Sequence, residues 1–312
     1  MESDFFSEMQ IGDTENYKKF VADFDKSTAF LDDLSNLIDY NGRIISFFTD
    51  DGIHYFNTCL LDNAVQTLQS IKLCCSIGSF ADANTLIRKL RDDLVMFVYI
   101  RRVIDQRKPF VETDLQDVDL TDADKLLESF SKMRINPDLT DDEKAVAAWL
   151  SNKVSELPWA IKKRTLSYEN YMIFLAQHSG INEILAAYNL QNYWEQLRQK
   201  LNNYVHNNGQ QFSAINIIRP GDENVDAYLK NVYIRTSYIT TFFLVLIIMV
   251  DATLISSSDM IDYLDSGKEP PENCQYEVAP FIQEYIDKEV VRLHPELKQY
   301  LKDNNGYGMK IN

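Results

Sequence analysis

The sequence contains few of the residues that make turns. It has 10 glycines and 8 prolines in 312 positions, and both are well below their average usage in globular proteins. A sandwich or barrel of many short strands needs a turn at the end of every strand, whereas long helices need few turns. This scarcity therefore argues against a strand-rich fold and favours an all-α one.

Cysteine is also scarce. The four cysteines, Cys59, Cys74, Cys75 and Cys274, do not have the spacing of a zinc site. Free thiols suit a reducing compartment, and the acidic first ten residues lack the apolar region of a signal peptide. Motifs of dinucleotide, nucleotide and zinc-hydrolase sites are missing as well. We therefore expect a cytoplasmic protein with no metal and no other cofactor.

Lysine and arginine are fewer than aspartate and glutamate, and the excess of acids is concentrated in two segments. The formal net charge is −16, of which residues 1–51 contribute −8 and residues 111–145 contribute −7. A field of this sign repels phosphate backbones and anionic membranes. A nucleic-acid function would therefore require a local basic site, while the acidic segments are candidates for docking a basic protein partner.

Apolar residues recur at helical spacing along most of the chain. This pattern predicts an all-α multi-helix bundle with roughly 65% helix or more, and no sheet beyond a hairpin. The predicted helices cover residues 14–38, 53–77, 80–107, 141–156, 167–178, 182–207, 228–255 and 280–302.

Two of these helices carry runs that are apolar on every side, at 94–100 and at 242–250. A helix of that kind is buried all round, so we predict two fully buried apolar central helices. A bilayer span needs about 20 apolar residues. The second run is shorter and ends at Asp251, so we expect no stable membrane insertion.

The domain boundaries follow from the same pattern. We predict a flexible N-terminus over 1–13, a single helical domain over 14–302 with an acidic insertion at 109–145, and a flexible tail over 303–312.

Three aspartates, Asp259, Asp262 and Asp265, lie three residues apart on one helical face. Such a row could bind a hard cation. However, the sequence around it does not supply the backbone carbonyl ligands of a calcium loop.

Charged residues directly precede the first apolar run. They are Arg88, Arg91, Asp92 and Asp93. Charges beside buried turns are seldom left without an opposite charge. We therefore predict a structural ion-pair network, with Arg88 or Arg91 contacting an acid from another helix.

One polar stripe has the residue types of a catalytic site. Arg198, Asn202 and His206 stand at i, i+4 and i+8 in helix 182–207, beside its apolar face. An arginine can clamp a phosphate, an asparagine can orient a substrate, and a histidine can act as acid or base.

This trio at the end of a helix resembles the motif of the HEPN superfamily, in which four to six residues separate an Arg from a His. The resemblance covers about 80–210, and it implies metal-independent RNA cleavage, frequently by a homodimer, in toxins and phage-defence proteins. Here seven residues separate Arg198 from His206, whereas Lys200 stands at an allowed spacing. The resemblance makes His206, Arg198, Asn202 and Lys200 the candidate catalytic residues of an endoribonuclease.

Two other interpretations remain open. His206 and Arg198 are also consistent with structural roles, in which the histidine caps the last carbonyls of its helix and the arginine pairs with Glu195 or with an acid on helix 80–107. In that case the chain is a non-catalytic helical adaptor whose acidic segments dock a basic protein. The other interpretation is a membrane-associated protein that uses residues 238–255.

Overall fold

A computed structural model describes residues 10–40, 45–111, 128–129, 131–257, 267–269, 277–305 and 308–312. The protein is 72% helical, and the sheet within the described residues has only two strands. The predicted all-α multi-helix bundle is therefore confirmed. The residues Asp259, Asp262 and Asp265 lie outside the described part of the chain.

The helices and strands are numbered here in chain order. They are α1 (Glu15–Tyr40), β1 (Ile45–Thr49), β2 (Gly52–Phe56), α2 (Cys59–Ser76), α3 (Phe80–Gln106), α4 (Asp141–Leu150), α5 (Trp159–Thr165), α6 (Tyr168–Leu175), α7 (Ser179–Ala187), α8 (Leu190–Val205), α9 (Gln210–Ala214), α10 (Val225–Asp251), α11 (Pro280–Tyr285), α12 (Val291–Leu293) and α13 (Leu297–Asn304). Short 3-10 helices lie at Ile11–Asp13, Val154–Glu156 and Ala252–Ile255, and a π-helical turn lies at Ile286–Val290.

The chain forms two compact units, where one domain was expected over 14–302. The larger unit comprises residues 1–42, 58–98 and 176–312, and the smaller unit comprises residues 43–57 and 99–175.

The core of the larger unit is built on α10. Every residue from 236 to 252 is buried, and α1 packs against both α2 and α10. The ring of Phe97 on α3 meets the ring of Phe243 edge-on, with centroids 5.9 Å apart. The two apolar runs found in the sequence therefore lie in the core, as their composition requires.

The helix Val225–Ile255 is the one candidate membrane span among the described residues, by length and composition. Within its most apolar 18-residue window, 94% is buried inside the protein, as in a core helix. The expected lack of membrane insertion stays a prediction.

The smaller unit contains the β-hairpin and the helices α4 to α6. Strands β1 and β2 are antiparallel, with Phe47 opposite His54. Thr140 caps α4, since its hydroxyl accepts from the Glu143 amide and the Glu143 carboxylate accepts from the Thr140 amide in return. The guanidinium of Arg107 donates to the carbonyls of Phe48, Asn136 and Asp138.

Four predicted helices are shorter than expected or divided. Helix 141–156 ends at Leu150, and helix 280–302 is divided into α11, the π-helical turn, α12 and α13. Residues 53–56, expected at the start of a helix, belong to β2, because pairing with β1 satisfies their backbone groups. Helix 182–207 divides into α7 and α8 at Asn189, whose φ of 54° is left-handed and interrupts the helical path.

Both chain ends are more ordered than expected within their described residues. Ile11 is 1% exposed in a short 3-10 helix, so the flexible segment predicted over 1–13 does not extend that far. In the predicted flexible tail, Met309 and Ile311 are buried. The Asn305 side chain donates to the Met309 carbonyl and accepts from its amide. These apolar and polar contacts fix the segment.

Candidate functional site

Helix α8 carries the candidate residues on a well-anchored scaffold. Its buried stripe consists of Leu190, Trp194, Leu197 and Leu201. The Trp194 ring lies 4.6 Å from the ring of Phe242 on α10, measured between centroids. Burial of this stripe against the core holds the neighbouring polar stripe at the edge of the larger unit.

His206 follows the last turn of α8 as its C-terminal capping residue, and its side chain is exposed. Its backbone amide donates to the Asn202 carbonyl at 3.1 Å. Within the described part of the chain, the imidazole ring makes no hydrogen bond. Asn207 ends the helix with a left-handed φ of 46°. The imidazole is therefore accessible to a ligand from solvent.

Arg198 is engaged by an acid one turn earlier. Its Nε donates to Glu195 Oε2 at 2.7 Å, and its Nη2 donates to Glu195 Oε1 at 2.6 Å. This contact is the main reason that the pKa of Glu195 falls from 4.5 to about 2, and the charge of Arg91 lowers it further. The pair expected from the structural interpretation of Arg198 is present.

The predicted ion-pair residues on α3 adjoin this pair. The side chain of Arg91 is 1% exposed, and both Nε and Nη2 donate to Asp92 Oδ1, at 2.8 and 2.6 Å. Arg88 Nε lies 3.7 Å from Asp92 Oδ2, and Asp93 accepts from Asn63. These bonds lie within α3 or reach α2, so a contact of Arg88 or Arg91 with an acid from another helix stays a prediction.

Within the larger unit, the charge of Arg91 on α3 thus acts on Glu195, the acid that engages Arg198 on α8. His206 lies at the other end of the stripe. Eight residues of helix correspond to about 12 Å along the axis, and Arg198 reaches the opposite way, toward Glu195. Arg198 and His206 of one chain therefore do not converge on one atom in this arrangement.

Asn202 and Lys200 occupy the space between those ends. The Oδ1 atom of Asn202 is buried and has no hydrogen-bond partner among the residues described. Lys200 is exposed and forms no ion pair within the same set of residues. Its helical rise to His206 is about 9 Å. Lys200 is thus closer to His206 along the helix than Arg198 is, and unlike Arg198 it has no ion pair among the described residues.

Sequence reasoning missed a second cation beside the end of α8. The guanidinium of Arg235 on α10 lies 5.6 Å from the centre of the Tyr204 ring and donates to Asn84 Oδ1 on α3. In the sequence, Arg235 was distinguished only by its position on the helix that carries the second apolar run. Only the packing of three helices shows that Arg235 faces Tyr204.

The segment after His206 is tied to the start of α3. Asn216 Oδ1 accepts from the backbone amides of Ala81 and Asp82, at 2.8 and 3.1 Å. The turn at Gly78, with a φ of 79°, lets the Ile218 carbonyl approach so closely that a Cβ there would lie 2.0 Å from its oxygen. The loop that carries His206 is therefore fixed at both ends.

Charge in this region differs from that of the whole chain. Residues 196–221 contain no Asp or Glu but include Arg198, Lys200 and Arg219. The end of α8 therefore lies in a stretch of the chain that contains cationic side chains and no acidic ones. Among the described residues, no group of three or more His, Cys, Asp or Glu side chains is placed to hold a metal ion.

Residues 54–224 match the model of a family described as a family of unknown function, DUF5677. The match extends over more than half of the chain, and it includes α3, α8 and His206. No curated protein and no solved structure matches the chain.

Proposed function

The chain belongs to the DUF5677 family, and we propose that it is a HEPN-like helical protein that cleaves RNA without a metal at the end of α8. The observation that supports this most is the exposed imidazole of His206 at the end of a helix, within a stretch free of acids. In a cytoplasmic toxin or phage-defence protein, such a site would act on cellular or phage RNA.

Metal-independent cleavage of RNA requires one general acid or base and one cation. His206 removes the proton from a ribose 2′-hydroxyl, whose oxygen attacks the adjacent phosphorus. The bond to the 5′ oxygen of the next nucleotide breaks, and that oxygen takes up a proton. The products are a cyclic phosphate and a free 5′-hydroxyl. A guanidinium or ammonium group stabilises the charge on the phosphate oxygens.

The cation is the less complete part of the site. Arg198 already forms an ion pair with Glu195, whereas Lys200 is exposed. Because about 12 Å of helix separates Arg198 from His206 in one chain, the proposal includes a homodimer in which α8 of a second copy supplies the cation. Asn202, which lies between Arg198 and His206 on the polar stripe of α8, orients the substrate through its amide.

The first test uses labelled single-stranded RNA, with and without EDTA. We expect cleavage that EDTA does not inhibit and that His206→Ala reduces by about 10²-fold or more, as for loss of a general acid or base. The matched control is Gln210→Ala, an exposed substitution in the same loop. Equal activity in His206→Ala and the parent protein would contradict the proposal.

A gain-of-function test uses the spacing of the motif. Lys200→Arg places a guanidinium with five residues between it and His206, within the HEPN spacing, on an exposed position that tolerates the change. We expect faster cleavage because the planar guanidinium binds phosphate in a bidentate manner. Gln196→Arg adds the same group one turn earlier and outside that spacing. An equal increase in both variants would show that charge alone, rather than the motif, is responsible.

The bidentate Arg198–Glu195 pair favours one alternative function, that of a non-catalytic adaptor. In this alternative the pair is structural, and the acidic segment 111–145 docks a basic protein. Inactivity toward RNA, together with salt-sensitive binding of a lysine-rich peptide by the full chain, would select it.

A further inference from the structure

The smaller unit displays a tryptophan and two lysines on one face of α5. Trp159 is 73% exposed, which is unusual for the largest apolar side chain. Lys162 and Lys163 follow at i+3 and i+4, so they share its face, and both are exposed. The Lys163 Nζ atom lies 5.0 Å from the centre of the Trp159 ring.

The charge of this face is not neutralised locally. Residues 157–168 contain no Asp or Glu. Neither Lys162 nor Lys163 forms an ion pair with a described residue. Arg164 lies on another side of α5, where its Nη2 is 2.6 Å from Asp141 Oδ2 at the start of α4. That pair ties the short helix to α4 and leaves the two lysines directed at solvent.

A groove of about 390 Å³ lies on another side of α5, within the smaller unit. Ile161 lines it, and this residue, two positions after Trp159, points away from the face that carries the tryptophan. The lysines that line the groove, Lys144 and Lys153, lie among the carboxylates of Asp50, Asp51 and Glu156. The groove is therefore not part of the positive face of α5.

We propose that this face of α5 binds single-stranded nucleic acid. An exposed aromatic ring beside unneutralised cations is the combination that stacks a base and contacts its phosphates. A base stacks on Trp159, and Lys162 and Lys163 contact the phosphates. Binding here does not depend on cleavage at His206.

A strand suits this surface better than an anionic membrane does. A bilayer is a plane, so it meets the field of the whole chain, whose net charge is −16. A single strand needs only the narrow face of α5, in a stretch (157–168) that contains no Asp or Glu. In addition, a seven-residue helix with one aromatic residue offers little apolar area to a bilayer.

The test measures binding of a short fluorescein-labelled 2′-O-methyl RNA by the full chain. This probe lacks the 2′-hydroxyl nucleophile, so binding is observed whether or not the protein cleaves RNA. We expect Trp159→Ala to weaken binding about tenfold or more, as for loss of one stacked base. Tyr40→Ala, which removes another aromatic side chain, 76% exposed, on α1, should leave binding unchanged.

The lysines are tested through salt dependence. For single strands, each phosphate contact contributes a slope of about −0.7 to the logarithm of affinity against the logarithm of salt concentration. Replacing both Lys162 and Lys163 by alanine should therefore reduce the slope by about 1.4. The matched control replaces Lys18 and Lys19, adjacent exposed lysines on α1, in the same way.

Three results would overturn the proposal. The first is an affinity of Trp159→Ala within twofold of the parent. The second is an equal loss of salt dependence in the Lys18 and Lys19 control. The third is binding to vesicles of phosphatidylcholine and phosphatidylserine without binding to the oligonucleotide. Circular dichroism melts that match the parent will show that each variant is folded. Binding without cleavage would support this surface and count against the proposed nuclease, and cleavage without a Trp159 effect would do the reverse.

Discussion

Each of the two units buries an arginine, but the two arginines have different partners. In the smaller unit, Arg107 is 7% exposed, contacts Glu143 at 3.3 Å, and donates to three backbone carbonyls from segments far apart in sequence. In the larger unit, Arg91 is 1% exposed, and its described hydrogen bonds go to Asp92, the next residue in the chain.

The difference separates a structural arginine from an electrostatic one. Arg107 holds the hairpin and the loop before α4 together, because backbone carbonyls cannot find other donors once they are buried. The bonds of Arg91 to Asp92 stay within one helix, and its charge contributes to the lowered pKa of Glu195, the acid that engages Arg198. One guanidinium therefore joins distant backbone segments, and the other acts on a candidate site through its charge.

The largest effect is expected for Arg107→Met. It leaves the carbonyls of Phe48, Asn136 and Asp138 without their donor, and the carboxylate of Glu143 without its cation. We expect a loss of about 3–5 kcal/mol in the free energy of unfolding, as for a broken buried pair. Urea denaturation and hydrogen exchange of β1 and β2 measure it.

The control for that variant is Arg102→Met on α3, whose partner Asp105 lies one turn away. It should cost about 1 kcal/mol or less. Equal losses in the two variants would mean that Arg107 contributes only its charge and not its backbone contacts.

A smaller effect is expected for Arg91→Met. Its partner Asp92 has a side chain that is 32% exposed, so water can hydrate the carboxylate after the arginine is removed. We expect a loss of about 1–3 kcal/mol, below that of Arg107→Met. A loss as large as that of Arg107→Met would refute the proposed difference between the two arginines.

The smallest effect concerns Glu195 and pH. The pKa of Glu195 is about 2 in the folded protein, below its ordinary value of 4.5. A lowered carboxyl pKa stabilises the fold above pH 4.5, and this stabilisation is lost as the pH falls from 4.5 toward 2. Because the pair is largely exposed, we expect about 0.2–1 kcal/mol. In Glu195→Gln, urea midpoints over this range should fall less steeply than in the parent, and identical slopes would contradict the assignment.

Helix periodicity was the most informative part of the sequence. The spacing of apolar residues predicted α1, α3, α8 and α10 and the burial of the runs at 94–100 and 242–250. The β-hairpin was missed because residues 53–56 were attached to the helical pattern that follows them. The break at Asn189 was missed because a left-handed φ leaves no periodic signal.

The candidate site was only partly predictable. His206 was expected at the end of a helix and is exposed there. Glu195 was one of the partners considered for Arg198, and it is the partner in the structure. The pair could be predicted because residues i and i+3 are neighbours on a helix. The roles of Arg235 and Asn216 could not be predicted, because each acts on residues more than a hundred positions away.

The sequence by itself determined the helical class, the two buried apolar runs and the polar stripe, because these follow from local periodicity and composition. Only the tertiary structure decided which charges meet. It placed the charge of Arg91 where it acts on Glu195, anchored the loop after His206 to the start of α3, and joined Arg107 to the carbonyls of Phe48, Asn136 and Asp138. Those contacts join elements distant in sequence, and their geometry depends on how the apolar faces pack.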